Sequence, residues 1–237
     1  MLAVPELWIA HVGLVPYRDG LALQERVRDA REAGLVPDTL LLLEHPPVYT
    51  RGRRTSAGEL PFGEDWYAER GIEIVDVRRG GKVTYHAPGQ LVGYPIVAAP
   101  EVAAHVRAME RAIASALAEE GVPAAGRPDD GPDFTGVWVE RERKIASIGV
   151  HVRRGISTHG FAVNVDMDLE PWTWIVPCGL QVPMTSIAAE TGREGPLVPG
   201  FARRMASAYA REHGGREREV TRDELERMLA RPPAAVA

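Results

Sequence analysis

The sequence predicts an α+β domain: a mixed, largely antiparallel β-sheet with helices packed against it. Three observations lead there. Thr39-Leu-Leu-Leu-Leu43 is an unbroken apolar run of strand length, bounded by Pro37-Asp38 and His45-Pro-Pro47, and reads as a buried strand. Val102, Val106, Met109, Ile113 and Leu117 recur at helical spacing and stop at Gly121. Three strand candidates, Thr135 to Glu140, Lys144 to Val152 and Ser157 to Val165, are separated by Arg141-Glu-Arg143 and Arg153-Arg-Gly155, turns of hairpin length. That block is antiparallel.

The remaining elements follow in order. Leu7 to Val12 reads as a strand, and Gly20 to Glu32 as a helix with Leu23, Val27 and Ala30 on one stripe. Val48 to Arg54 leads into a loop rich in Gly and Arg, and Glu64 to Arg70 reads as one or two helical turns. Ile72 to Arg78 is a strand that runs into Gly80-Gly81. Leu91 to Val97 is another, and Pro95 within it predicts an edge or the end of pairing. Arg127 to Asp133 is a loop, and Pro171 to Val182 is irregular. Thr185-Ser186 opens a short helix, and Phe201, Met205 and Tyr209 stripe a longer one from Phe201 to Glu212. The expected organisation is one domain over 1–212 and a charged extension over 213–237, where Thr221 and Glu224 fit a capping box for a last short helix.

The 237 residues suffice for one well-filled domain. A hydrophobic fraction of 45% and a charged fraction of 26% are those of an ordinary globular protein. No apolar run approaches the roughly 20 residues of a membrane helix, and the N-terminus lacks a signal-peptide layout, so a cytoplasmic location is expected. A net charge of −5 argues against a nucleic-acid partner. Locally, Arg51, Arg53, Arg54, Arg78, Arg79 and Lys82 crowd together, either as a solvated rim or as a dock for an acidic partner.

Rare residues narrow the chemistry. Cys178 is the sole cysteine, which excludes an internal disulfide and a multi-cysteine metal site. Lys82 and Lys144 are the only lysines and Asn164 the only asparagine. Cys178 stands between Pro177 and Gly179, in a segment without helical or strand periodicity. It is either a small buried hydrophobe or a nucleophile held on a loop. A free thiol near pKa 8.5 needs a base or a neighbouring cation to react at neutral pH. Strand alternation places Lys144, Ala146 and Ile148 on one face, which aims Lys144 inward; the competing reading is a lysine reaching out to solvent. Arg79-Gly-Gly-Lys-Val-Thr-Tyr-His-Ala-Pro-Gly-Gln90 has paired glycines that admit a ligand close to the backbone, with Thr84, Tyr85, His86 and Gln90 around them. It is neither a P-loop nor a dinucleotide fingerprint, and the histidines show no metal-ligand pairing, so no cofactor or metal is expected.

The Arg79 to Gln90 segment strongly resembles the signature loop of the lipoyl(octanoyl) transferases, of the biotin/lipoate protein ligase superfamily. Glu44-His-Pro-Pro-Val-Tyr49, Lys144-Ile-Ala-Ser-Ile-Gly149, Thr158-His-Gly-Phe-Ala-Val-Asn164 and Pro177-Cys-Gly-Leu180 resemble that family's other motifs, in its order, over roughly residues 5 to 212. Ala87 departs from the family's usual glycine; an extended backbone before Pro88 is expected to accommodate it.

The resemblance implies a biotin/lipoate-ligase-like fold and transfer of an octanoyl group from acyl carrier protein to a lysine. The acceptors it implies are the apo lipoyl domains of 2-oxoacid dehydrogenase complexes and the glycine cleavage H protein. It implies Cys178 as the nucleophile and Lys144 as its partner. Arg79, Gly80, Gly81, Lys82, Val83, Thr84, Tyr85, His86, Ser147, Ile148, Gly149, Gly160, Phe161 and Ala162 would line the acyl site. A monomer without membrane contact is expected. The alternatives are an ATP-dependent lipoate ligase, a non-catalytic acyl-binding protein and a cysteine hydrolase.

Overall fold

The computed structural model describes residues 5–176 and 182–230. An eight-stranded sheet dominates it, made by β1 (Glu6–Leu14), β2 (Asp38–Glu44), β6 (Gln90–Ile96), β7 (Ala124–Gly126), β8 (Gly136–Val139), β9 (Arg143–Arg153), β10 (Ile156–Asn164) and β11 (Arg216–Val220). Their order is β11-β1-β2-β6-β10-β9-β8-β7. The β1 pairings with β11 and β2 are parallel and every other pairing in the sheet is antiparallel. A small second sheet, ordered β4-β3-β5, joins β3 (Val48–Arg51), β4 (Glu73–Asp76) and β5 (Thr84–His86).

The apolar run in β2 is explained by burial on both faces. Leu40 and Leu42 enter one core, and Leu41 and Leu43 the other. The first core is closed by α3 (Val102–Glu119) and α5 (Val198–His213), through Met109, Ile113, Leu117, Phe201, Met205 and Tyr209. The second is closed by α1 (Tyr17–Glu32), through Leu23, Val27 and Ala30, and by Leu225 of α6 (Arg222–Leu229). Val102 is the exception in the α3 stripe: it stands 45% exposed. The short helices α2 (Glu64–Ala68) and α4 (Ile187–Thr191) pin loops, α4 through its Ser186 cap.

Two expectations need correction. Pro95 does not mark an edge, because β6 lies inside the sheet with Pro95 opposite Leu40. A proline lacks only one ladder donor, so the damage is confined to the β10 side. There the pairing lapses between Gly93↔Phe161 and Ala98↔Ile156, and His159 adopts a left-handed φ of 57°. The Ser157 hydroxyl donates to the Pro95 carbonyl across the gap, 2.6 Å away. Nor does Lys144 simply share a face with Ala146. The β8–β9 register shifts at Val137/Trp138, leaving Ile145 as an extra residue in a bulge. Ile145 and Ala146 both enter the core, and the bulge re-aims Lys144.

The charged tail contributes more than a helix. Residues 216–220 add an edge strand to the main sheet, and Thr221 caps α6 by accepting from the Glu224 amide at 3.1 Å. Ala87, absent from the left-handed residues, sits comfortably before Pro88.

Candidate active site

A cavity of about 310 Å³ opens where β9, the turn between β4 and β5, and the start of α3 meet. Its wall carries Arg79, Gly80, Gly81, Lys82, Val83 and Thr84 from the turn, and Lys144, Ser147, Ile148 and Gly149 from β9. A smaller chamber of about 40 Å³ continues inward past Arg79, Thr84 and Ser147. His86, Gly160, Phe161 and Ala162 line it, together with Tyr17, Tyr94 and His159. Tyr85 stands apart. Side chains alternate along β5, so Thr84 and His86 face the chambers while Tyr85 packs on Tyr49 and Trp172, with ring centroids 5.0 and 6.0 Å away.

The turn is held from behind by Arg79, 7% exposed. Its guanidinium donates to the Thr50 carbonyl at 2.7 Å, to the Thr50 hydroxyl at 2.7 Å and to the Gly80 carbonyl at 3.0 Å. Glycines make the close packing feasible. A Cβ on Gly149 would come within 2.8 Å of the Gly80 carbonyl, and one on Gly52 within 2.7 Å of the Arg79 guanidinium. The buried Glu59 carboxylate braces the same turn, accepting from Val83 N–H at 3.0 Å and from Ser56 N–H at 3.1 Å.

Lys144 reaches the cavity from the bulge of β9. Its stem crosses Gly136, where a Cβ would lie 2.8 Å from Lys144 Cε, and its ammonium stands 5.2 Å from the centre of the Trp138 ring. The backbone of Lys144 pairs with residues 183–185: its N–H donates to the Pro183 carbonyl at 2.9 Å, and its carbonyl accepts from Thr185 N–H at 3.0 Å. Cys178 lies outside the described residues. In sequence it falls between Trp172 on one side and Val182 and Met184 on the other, all of which line the cavity.

Three histidines surround the inner chamber or its back wall. His45 donates from Nδ1 to the Val15 carbonyl and accepts the Tyr94 hydroxyl at Nε2, both at 2.7 Å. Burial lowers it to about 4. Burial, reinforced by Arg79, lowers His159 to about 3, and burial together with His45 holds His86 well below the usual histidine value. All three are neutral at pH 7. An unfolded histidine titrates near 6.5, so between about 6.5 and about 4 the unfolded chain binds protons that the folded chain refuses. Stability is therefore complete above 6.5 and falls on acidification, by up to about 1.4 kcal/mol per pH unit for each histidine. Urea midpoints should drop between pH 7 and pH 5. A flat profile over that range would contradict the assignment.

Sequence reasoning missed Tyr17, Tyr94, Val102, Val106 and Asp133, which reach the chambers from distant elements. Val102 and Val106 share a helical stripe, but no spacing signal connects that stripe, Tyr17, Tyr94 or Asp133 to the site. His159 lay within a motif already singled out. The crowded basic stretch proves partly neutralised: Arg51 pairs with Asp76 and Glu64, and Arg54 and Lys82 with Asp133.

The model of the lipoyl protein ligase A/B catalytic domain matches residues 16–210. The chain belongs to this family. Among curated relatives, an octanoyltransferase of Solibacter usitatus is 48% identical over 185 residues, 76% of this chain and 82% of that protein. One from Mycobacterium tuberculosis is 47% identical over 191 residues, 78% of each chain. One from Myxococcus xanthus is 43% identical over 200 residues, 80% of this chain, which spans only 55% of that longer protein.

Solved structures of lipoate-protein ligases share the fold. A bi-partite lipoate protein ligase from Thermoplasma acidophilum superposes with a TM-score of 0.75 at 16% identity, covering 95% of this chain and 91% of that one. A lipoate-protein ligase A bound with ATP gives 0.71 at 18% identity, covering 96% and 93%. At such identities the likeness concerns the fold alone. Among the described residues no helix is long and apolar enough to cross a membrane.

Proposed function

We propose that the protein transfers an octanoyl group from the thioester of an acyl carrier protein to the ε-amine of a lysine on apo lipoyl domains, through a thioester on Cys178. The observation that carries this reading is the convergence of Lys144 and of chain flanking Cys178 on one cavity wall. Relatives named octanoyltransferase at 43–48% identity supply the reaction class.

The steps balance without ATP, since a thioester is exchanged for a thioester and then for an amide. The Cys178 thiolate attacks the octanoyl carbonyl. The C–S bond to the carrier breaks, and the departing thiolate takes a proton from the Lys144 ammonium. The neutral Lys144 amine then accepts the proton that the acceptor amine loses as it attacks. Cys178 leaves as thiolate, beside a restored ammonium. Cavity and inner chamber together offer a slot for the acyl chain, with Gly160, Phe161 and Ala162 forming part of its inner wall.

Intact-protein mass spectrometry after mixing with octanoyl-carrier protein, without ATP, tests the pathway. A hydroxylamine-labile octanoyl adduct should form on the wild type and not on Cys178→Ala. Transfer that proceeds in Cys178→Ala, or that requires ATP, would return the protein to a ligase mechanism.

Docking of an acidic donor is proposed at Arg53 and Arg78, which are exposed and make no ion pair among the described residues. Both lie close enough to His151 to depress its protonation, behind burial as the main cause. Charge reversal of Arg53 and Arg78 together should raise the carrier's KM about tenfold at low salt and much less at high salt. Equal KM values at both salts would remove the site.

A further inference from the structure

The lone asparagine sits behind the cavity rather than on it. Asn164 ends β10 and is 1% exposed. Its carbonyl oxygen accepts from Gln90 Nε2 at 2.9 Å, and its Nδ2 donates to the Thr185 carbonyl at 2.9 Å. Gln90 spends its other N–H on the Tyr85 carbonyl at 3.1 Å, which leaves its oxygen to accept from His86 Nδ1 at 2.7 Å. Thr185 N–H in turn donates to the Lys144 carbonyl at 3.0 Å, and Lys144 N–H to Pro183 at 2.9 Å. One continuous chain of hydrogen bonds thus runs from the histidine of the inner chamber to the backbone of Lys144.

Asn164 is the link that no other residue type replaces here. It must present one acceptor to Gln90 and one donor to a carbonyl, in a dry site where an unmade bond is expensive. The segment it joins, residues 183–185, is bonded to Lys144 through an isolated bridge at Met184 and follows Cys178 closely in sequence. Building on the proposed roles of Cys178 and Lys144, we propose that Asn164 is a positioning residue, which sets Lys144 against the segment that follows Cys178 and so governs the reactivity of the thiol.

Asn164→Asp keeps the shape and the acceptor but loses the donor, and turns an oxygen toward the Thr185 carbonyl. Since Cys178 is the sole cysteine, iodoacetamide labelling of the full chain reads that thiol alone. The rate should be followed from pH 5 to 10 in wild type, Asn164→Asp, Asn164→Ser and Met205→Ala, the last destabilised in the core through an α5 residue that has no hydrogen bond in the relay. The expected result for either Asn164 variant is a labelling midpoint about one pH unit higher, about tenfold less thiolate at neutral pH. The kcat for transfer should fall in step, with the donor KM within twofold. Met205→Ala should melt earlier without moving the midpoint. Labelling curves of folded Asn164 variants that overlay the wild type would overturn the proposal, as would an equal shift in Met205→Ala. Transfer by Cys178→Ala would overturn the catalytic reading instead, and is scored separately.

Discussion

Replacing Lys144 by alanine should lower kcat for octanoyl transfer by about 10²–10⁴-fold, the range over which positioned general acid–base groups act. The expectation rests on the proton-transfer role proposed for Lys144 and on its place outside the hydrophobic core. Core packing at this point of β9 belongs to Ile145 and Ala146, while Lys144 is half-buried with its stem laid across Gly136. Its loss should therefore change the melting temperature by only a few degrees. Lys144→Arg separates the two roles given to the ammonium. A guanidinium keeps the positive charge at this position but exchanges no proton, so the carrier must leave as its thiolate and the acceptor amine's proton has no base to go to. The acyl-enzyme should then form and accumulate, with transfer to the lipoyl domain stalled. Mass spectrometry of the adduct and gel-shift of the acceptor read the two steps. Transfer by Lys144→Ala within threefold of wild type would dismiss Lys144 from the mechanism.

Much of the fold is legible wherever burial writes a period into the chain. Thr39 to Leu43 reads as a strand because both of its faces are covered, and Met109, Ile113 and Leu117 read as a helix because one face is. The hairpins around Arg141 and Gly155 announce themselves by length, and Arg141, Arg154 and Gly155 do adopt the left-handed conformations such turns require. The strand at residues 216–220 is silent for the opposite reason. It is an edge with only Val220 buried, and Arg216 and Arg218 both pair with Glu6, a match visible only after folding. Pro95 does end the pairing with β10, but it does not make β6 an edge, because a proline forbids one hydrogen bond on one side and a strand has two sides. The Arg79 to His86 stretch, which except for Tyr85 lines the two chambers, is contiguous and so could be singled out from the sequence. Tyr94 and Val102 could not be, since tertiary contact alone brings them there. The direction of Lys144 depends on a bulge, and one extra residue inverts any reading by alternation.

The seam between β6 and β10 is where a single methyl group should do most damage to stability. Gly93 faces Phe161 in register, and a Cβ added to Gly93 would overlap the outer edge of the Phe161 ring. Gly160, next along, would drive its Cβ into the Gly93 carbonyl and the Pro95 ring. The two obstacles differ in kind. A phenyl ring can rotate away at the expense of packing, whereas a backbone carbonyl and a proline held in mid-sheet cannot move without breaking the ladder. Gly93→Ala should consequently fold with stability reduced by about 1–3 kcal/mol, and Gly160→Ala should lose more than that or fail to accumulate. Pairing Gly93→Ala with Phe161→Leu should be non-additive, the double variant losing at least about 1 kcal/mol less than the sum of the singles, as expected for residues in contact. Urea titrations of the four proteins measure this. The same wall bounds the inner chamber through Gly160, Phe161 and Ala162, so variants that fold should also show a raised KM for the octanoyl donor. Strict additivity, or a Gly160→Ala variant as stable as wild type, would mean that the seam has slack the packing does not show.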